Sequence, residues 1–221
     1  MPRPAPASKP VKREPADLPP DSIDLTAITS EALIGDAPLD GVFAENFDLA
    51  GRNIRSFRLT NSLLDRVSFA GAVVQSARLR DVRFLRCDLS NATLRGLEAN
   101  RVEFIECRMT GMKSIECRWT NVLIENCDAG FAQFTDGTLH TCEFKESRLS
   151  EADFRGCDLE DAVFSQVSLE RADLGGAKLR NADLRGAGID GIVVHAEDVR
   201  GAIVTAAQAL DLARLLGLVI R

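Results

Sequence analysis

The chain has 221 residues, 45% of them hydrophobic, and a formal net charge of −6 at pH 7, so it is long enough to bury a core of ordinary domain size. It holds no apolar run near the roughly 20 residues of a membrane span, and its N-terminus lacks the apolar stretch of a secretory signal. The acidic balance disfavours generic nucleic-acid binding through counterion release. We therefore expect a cytoplasmic protein that binds neither membranes nor nucleic acid directly.

The first segment, residues 1–21, is predicted to be a disordered tail. Seven of the eight prolines lie in its first twenty residues. Such a segment has too little apolar surface to offset the entropy lost on ordering. The tail is basic, whereas the rest of the chain is acidic. Its charged residues before Asp21 are Arg3, Lys9, Lys12, Arg13, Glu14 and Asp17.

A five-residue word then repeats from residue 32 to residue 206 without an insertion, most clearly in "ADLGG", "NADLRG" and "ADFRG". The third residue of each word is usually large and apolar, and the first is usually small. In a helix this period would spread the apolar residues over every face, because successive words differ by about 140° around the axis. In a flat strand an odd period would send alternate words to opposite sides. The chain is therefore predicted to turn once per word.

Glycine and proline support this interpretation. Glycine is concentrated at the fifth place of the word, as at Gly51, Gly71 and Gly176, where a tight corner needs a permissive backbone. After Pro38 the chain contains no proline, as expected if almost every N–H donates to a neighbouring coil. The pattern predicts a solenoid with the first and third residues of each word inside.

The words resemble those of the pentapeptide-repeat family, whose pattern is a small residue, Asp or Asn, Leu or Phe, and two variable residues. The resemblance implies an all-β fold over residues 22–206, a right-handed, four-sided parallel β-helix with four words per coil. Residues twenty apart should then lie above one another at about 4.8 Å, giving about nine coils. One internal stack is expected to contain Phe84, Phe104, Ile124, Phe144 and Phe164, and another Phe134 and Phe154.

The chain shows no motif for catalysis, a cofactor or a metal. All six cysteines occupy the small first place of a word, which favours buried apolar packing over metal ligation. His140 and His195 occupy outward fourth places on different predicted sides, and neither word supplies a nucleophile or a carboxylate. The glycines of "GGAKLRNADLRGAG" are explained by corners rather than by a phosphate-binding loop. We expect a protein that is not an enzyme.

One side of the predicted solenoid combines acidic and apolar residues on consecutive coils. Exposed apolar groups beside carboxylates are typical of a partner-binding surface, although an ordinary solvated face remains the alternative. Arg66, Arg83 and Arg86 interrupt this side toward the N-terminus. The candidate partner-binding residues are Glu103, Glu106, Glu125, Glu143, Glu146, Leu85, Ile105 and Leu123.

The neighbouring side is predicted to carry a basic stripe. Its arginines recur at outward places of words one coil apart. Because these arginines add positive charge to the surface, they disfavour a rod whose surface is negative throughout. The stripe contains Arg58, Arg78, Arg80, Arg101 and Arg118.

The C-terminus, residues 207–221, is predicted to cap the solenoid. The segment "TAAQALDLARLLGLVIR" indicates a helix capped by Thr205 with Gln208 three residues on, ending near Gly217 and followed by a short strand over residues 218–220. Its apolar residues exceed what one cap buries, which favours a homodimer over a monomeric cap. The candidate dimerisation residues are Leu210, Leu212, Leu215, Leu216, Leu218, Val219 and Ile220.

This ending also resembles that of the bacterial pentapeptide-repeat proteins that protect DNA gyrase from quinolones. The resemblance implies a dimer that imitates a DNA duplex, binds DNA gyrase or topoisomerase IV and gives resistance to topoisomerase poisons. Because the repeats contain no insertion, the chain is more similar to the loop-free mycobacterial type than to plasmid-borne members with projecting loops. The residues leave open an interaction scaffold for an unassigned protein partner, without DNA mimicry.

Overall fold

A computed structural model describes residues 11–18, 24–35 and 37–220. These residues form a parallel β-solenoid of about eight turns with one short C-terminal helix, which confirms the predicted fold class. The described residues contain no helix long and apolar enough to cross a membrane.

The strands are short, as expected for a chain that turns after every word. The strands are β1 Thr26–Ala27, β2 Leu39–Asp40, β3 Val42–Glu45, β4 Asn53–Ile54, β5 Phe57–Asp65, β6 Val73–Val74, β7 Ala77–Leu85, β8 Thr93–Arg95, β9 Leu97–Ile105, β10 Lys113–Ile115, β11 Arg118–Thr120, β12 Leu123–Glu125, β13 Thr138–His140, β14 Glu143–Lys145, β15 Val163–Ser168 and β16 Asp183–Gly188. Five of them, β5, β7, β9, β15 and β16, are longer because they continue around a corner between two sides.

Neighbouring coils pair in parallel at a separation of twenty residues. Phe84 lies opposite Phe104 between β7 and β9, and Phe144 lies opposite Phe164 between β14 and β15. One sheet runs in the order β1-β3-β5-β7-β9-β12-β14-β15-β16, and a second side is formed by β10-β8-β6-β4. Four words per coil are therefore confirmed.

The corners place the fifth residue of most words in the left-handed region. Gly176 has φ 72°, but Asn121 at 58° and Arg101 at 52° adopt the same conformation, which costs a residue with a Cβ roughly 1–2 kcal/mol. Gly186 is an exception, because it lies in β16 where the register to β15 shifts. A Cβ there would come 2.9 Å from the carbonyl oxygen of Phe164.

The interior is filled by the stacked side chains that the period predicts. The ring centroids of Phe84 and Phe104 are 4.8 Å apart, and those of Phe144 and Phe164 are 4.7 Å apart. Phe134 stacks on Phe154 at 5.0 Å. All six cysteines are buried and unpaired. Burial raises the pKa of the Cys142 thiol to about 12.

The N-terminal end corrects the predicted start of the repeats. The word that begins at residue 32 does not start as a β word, because Ser30–Leu33 forms a helix, α1, whose first turn is capped by the Thr29 side chain. The strand before it pairs out of period, with Thr26 opposite Val42. The regular spacing begins with Leu39 opposite Leu59. A helical turn therefore closes this end of the core with buried Leu33.

The C-terminal end contains the predicted helix, α2, over Ala206–Leu215, with a capping box formed by Thr205 and Gln208. The buried Gln208 amide also donates to the carbonyl oxygens of Leu184 and Ala187, at 2.7 and 2.8 Å. These bonds satisfy acceptors of the last coil that have no further strand to pair with. The predicted strand over residues 218–220 is wrong for this single chain, since these residues pair with no strand.

Candidate protein-binding face

The acidic face is the side formed by residues 81–86, 101–106, 121–126 and 141–146. Its outward side chains form columns with one residue per coil. In the inner column Glu103 lies between Arg83 and Leu123, and Glu143 follows Leu123. The predicted partner-binding residues therefore lie together on one side, because residues at the same place of successive words are stacked.

Glu103 does not lie on an exposed surface, contrary to the prediction. It is only 4% exposed, and its Oε2 accepts hydrogen bonds from Nε and Nη2 of Arg83 at 2.9 and 2.8 Å. Leu123 is predicted to point into solvent, but it is 6% exposed without belonging to the hydrophobic core cluster. Both residues are therefore covered from outside the solenoid.

Part of the predicted disordered tail covers them. Residues 11–18 lie against the acidic face, and the Arg13 guanidinium is 3.4 Å from Glu103 Oε1 and 3.5 Å from Glu143 Oε2. Since Leu123 lies between these two glutamates, the Arg13 side chain crosses it. Disorder is thus wrong for residues 11–18, while residues 1–10 and 19–21 lie outside the described residues.

A second buried carboxylate lies at the edge of the same face. Asp81 is 3% exposed and accepts two hydrogen bonds of 2.6 Å from Nε and Nη2 of Arg101. Burial opposes ionisation of Asp81, but the hydrogen bonds from Arg101 and from the Asp17 backbone outweigh it and lower the pKa of this carboxyl. Arg101 therefore belongs to this pair rather than to the predicted basic stripe.

The other predicted residues, except Glu143 of the inner column, form the opposite edge of the acidic face. Glu125 pairs with Lys145 of the next coil, and Leu85, Ile105 and Glu143 are partly buried. Glu106 and Glu146 are exposed corner residues with φ 55° and 47°. This edge is the part of the face where carboxylates remain accessible to a partner.

The basic stripe forms a shallow open groove of about 500 Å³ on the neighbouring side, lined by Arg58, Arg78, Arg80 and Arg118 among others. Glu98 lies within it and pairs with Arg78 at 3.0 Å and with Arg118 at 3.9 Å. The groove is therefore partly neutralised.

Both histidines lie next to carboxylates, which come from other words than those of the histidines. Nε2 of His140 is 3.1 Å from Asp158, and Nδ1 of His195 is 2.9 Å from Asp198. With Glu160, the first pair brings three potential metal-binding atoms within 4.8 Å of one another. Asp158 and Glu160 are also paired with Lys178 and Arg180 of the next coil. We interpret this group as a surface ion-pair cluster.

The candidate dimerisation surface is exposed, with one correction. Leu212 is 7% exposed and packs into the cap, so it is not available to a partner. Because α2 turns this face inward, one leucine of the run belongs to the core. The remaining predicted residues are exposed, namely Leu210, Leu215, Leu216, Leu218, Val219 and Ile220.

Two elements of this site, the docked segment and Asp81, are not predicted from the sequence. A signal for Asp81 was present, because Arg101 follows it by twenty residues at the same place of the word, as Glu103 follows Arg83. Complementary charges one coil apart therefore indicate paired rather than free carboxylates. The segment 11–18 has no period, and no comparable signal marks its position.

Two family models match the chain. The model described as "Pentapeptide repeat region" matches residues 77–154, and "Pentapeptide repeats (8 copies)" matches residues 147–186. No curated protein matches the chain.

Solved structures similar to this chain share the repeat but are distant. A trypsin-treated variant of QnrB1, a plasmid-mediated fluoroquinolone resistance protein, is 18% identical with a TM-score of 0.37, over 88% of this chain and 96% of that one. HetL, involved in heterocyst differentiation regulation in the cyanobacterium Nostoc sp. strain PCC 7120, is 18% identical with a TM-score of 0.31, over 75% and 86%. A pentapeptide repeat protein of the Arabidopsis thaliana thylakoid lumen is 24% identical with a TM-score of 0.30, over 54% and 70%.

The repeated words, the twenty-residue register between coils and the two matching family models agree with one another, and they show that residues 77–186 of this chain are a pentapeptide-repeat region.

Proposed function

We propose that this protein is a non-enzymatic, protein-binding solenoid that acts as a homodimer in the cytoplasm. The observation that carries the proposal is the exposed apolar C-terminus, where Val219 is 84% exposed beside Leu215, Leu216 and Leu218. Such a contiguous apolar patch at the end of a soluble rod is typical of an interface. Pairing two such ends by a twofold axis would cover both patches at once.

We further propose that the partner is a type II topoisomerase, DNA gyrase or topoisomerase IV, and that the dimer occupies its DNA-binding site. Eight coils at about 4.8 Å give a rod of about 40 Å. Two rods joined end to end would have the length of about 23 base pairs of duplex, at about 3.4 Å per base pair. The exposed carboxylates of Glu106 and Glu146, one on each of two coils of the acidic face, would take the place of backbone phosphates. This activity would protect the enzyme from quinolones or other topoisomerase poisons.

A supercoiling assay tests the topoisomerase proposal. Micromolar protein should inhibit supercoiling by gyrase or restore it in the presence of a quinolone. Glu106→Lys should weaken this effect, because it reverses the charge at the accessible edge of the acidic face. Glu116→Lys is the matched control, since Glu116 is also exposed at a corner, with φ 54°, on a different side. Equal effects of the two substitutions, or no effect of the wild-type protein, would contradict the proposal.

The ion pairing favours a second candidate, a scaffold for another protein partner without DNA mimicry. Many carboxylates of the solenoid are neutralised by an arginine or lysine one coil away, as in the pairs Arg83 with Glu103, Lys145 with Glu125 and Arg148 with Asp128. A surface of this kind resembles a phosphate backbone less than its net charge suggests. Failure in the supercoiling assay together with retained dimerisation would favour this candidate.

A further inference from the structure

Residues 11–18 are held on the acidic face chiefly by main-chain and arginine contacts, in the manner of a bound peptide. The backbone N–H of Glu14 donates to Asn121 Oδ1 at 3.1 Å, that of Ala16 to Glu103 Oε1 at 3.2 Å, and that of Asp17 to Asp81 Oδ1 at 2.9 Å. Pro15, between the donors, has no N–H to satisfy. Main-chain recognition of this type depends on an extended conformation more than on sequence.

The spacing of the acceptors matches the rise of an extended chain. Asn121 and Asp81 lie two coils apart, which corresponds to about 9.6 Å along the solenoid axis. The three residues from Glu14 to Asp17 span about 10 Å when extended. The segment therefore crosses the coils with its donors in step with the acceptors, and a longer peptide could follow the same columns.

One side chain of the segment supplies specificity. The Arg13 guanidinium lies between Glu103 and Glu143 and over Leu123, and its side chain is only 13% exposed. The planar, delocalised guanidinium is suited to a position that joins two carboxylates across an apolar side chain. A lysine at this position would offer a single, more strongly hydrated charge.

The two carboxylates at the bottom of this surface need partners. With the segment present, Asp81 and Glu103 are almost fully buried, and each accepts hydrogen bonds from one arginine of the solenoid and from one N–H of the segment. If the segment left, each carboxylate would lose the hydrogen bond that it accepts from the segment, and the Leu123 side chain would become exposed. The vacated surface would therefore present the acceptors and the apolar floor that an incoming peptide requires.

We infer that this surface, the peptide channel formed by Asp81, Glu103, Asn121, Leu123 and Glu143, binds an extended, arginine-bearing segment of a partner protein. Residues 11–18 occupy the peptide channel in cis, and the partner segment must displace them. The segment it fits has an arginine followed by non-proline residues one, three and four positions later, as Arg13 is followed by Glu14, Ala16 and Asp17. The inference does not depend on binding to a topoisomerase.

The test measures binding of a peptide in trans to the full-length chain. The probe is a fluorescein-labelled, terminally blocked peptide with the sequence of residues 11–18, VKREPADL. The chain is used as wild type and as an open-channel variant, Arg13→Glu with Ala16→Pro, which removes both contacts of the segment to Glu103. These substitutions lie outside the solenoid, and unchanged far-ultraviolet circular dichroism checks that the fold is retained.

The open-channel variant should bind the peptide with a Kd on the order of 10⁻⁴ M, measured by fluorescence anisotropy. The wild-type chain should bind at least about tenfold more weakly, because a tethered competitor acts at an effective concentration of about 1 mM. Adding Glu103→Gln to the open-channel variant should weaken peptide binding about tenfold. The neutral amide accepts a hydrogen bond from the arginine of the peptide less strongly than the carboxylate does.

Two control peptides separate recognition from general attraction to an acidic surface. The peptide with Arg13→Glu should lose at least tenfold in affinity. The peptide with Lys12→Glu makes the same charge change one residue earlier, at a side chain that forms no ion pair among the described residues, and should lose less than threefold. Equal losses for the two peptides, equal binding by the two chains, or no binding at 2 mM peptide would each overturn the inference. None of these measurements involves gyrase, so they fail or succeed separately from the proposed function.

Discussion

Truncation of Phe104 tests whether the inward stack provides the main stabilisation of the solenoid. Phe104 is 1% exposed, and its ring stacks on Phe84 at 4.8 Å and on Trp119 at 5.7 Å. Removing a buried phenylalanine ring costs about 3–5 kcal/mol. The two aromatic contacts place Phe104→Ala above the lower end of this range. We therefore expect a loss of about 4 kcal/mol in the free energy of unfolding.

Phe131→Ala is the matched control, because it removes the same atoms from a ring that is 50% exposed at a corner. It should change the free energy of unfolding by less than about 0.5 kcal/mol. Urea unfolding is followed by circular dichroism and by the fluorescence of Trp119, the only tryptophan of the chain. With a slope of about 2–3 kcal/mol per molar urea, the midpoint of Phe104→Ala should fall by about 1–2 M. Similar midpoints for the two variants would refute a stabilising role of Phe104 in the core.

The cap, the carboxylates and the thiols give three further predictions. Leu215→Asp with Leu216→Asp should convert a dimer into a monomer of 24.0 kDa by light scattering, whereas an unchanged mass would remove the dimer proposal. The pKa values of Asp81, Asp128 and Asp183 are lowered in the folded chain, so their stabilisation is present above a pH of about 4 and is lost as the pH falls further; unfolding midpoints that do not decrease between pH 5 and pH 3 would contradict this. The six cysteines are buried, so they should react with a thiol reagent only after denaturation, and rapid labelling of the native protein would show that the core opens.

The repeating part of the fold could be predicted from the sequence because each coil imposes the same constraints. An inward third residue and a left-handed fifth residue recur every five positions. The contact between Phe84 and Phe104 can therefore be predicted from their separation of twenty residues, which is one coil. The same rule correctly places Gly176 at a corner. It also places Arg101 and Asn121 there, although neither residue type marks a corner by itself.

The parts that differ from prediction are those where the chain leaves the period. The word that begins at residue 32 has residue types that fit the repeat, but helix α1 forms there instead. Capping by Thr29 and burial of Leu33 at the end of the core determine this local structure. Burial of Glu103 and Leu123 depends on residues about ninety or more positions earlier in the chain. A contact between a repeat and a segment without a repeat leaves no pattern in the sequence, so it appears only in three dimensions.

The two proposals use opposite edges of the acidic face and can be separated. The peptide channel follows the corner column that contains Arg101 and Asn121, whereas the carboxylates proposed for the topoisomerase occupy the corner column of Glu106 and Glu146. Five extended residues, at most about 17 Å, separate Arg101 from Glu106. A partner that covers the whole face must displace residues 11–18, so its affinity should rise in the open-channel variant. A partner that uses only the edge of Glu106 should bind the wild type and this variant equally, because residues 11–18 form no hydrogen bond or ion pair with that column.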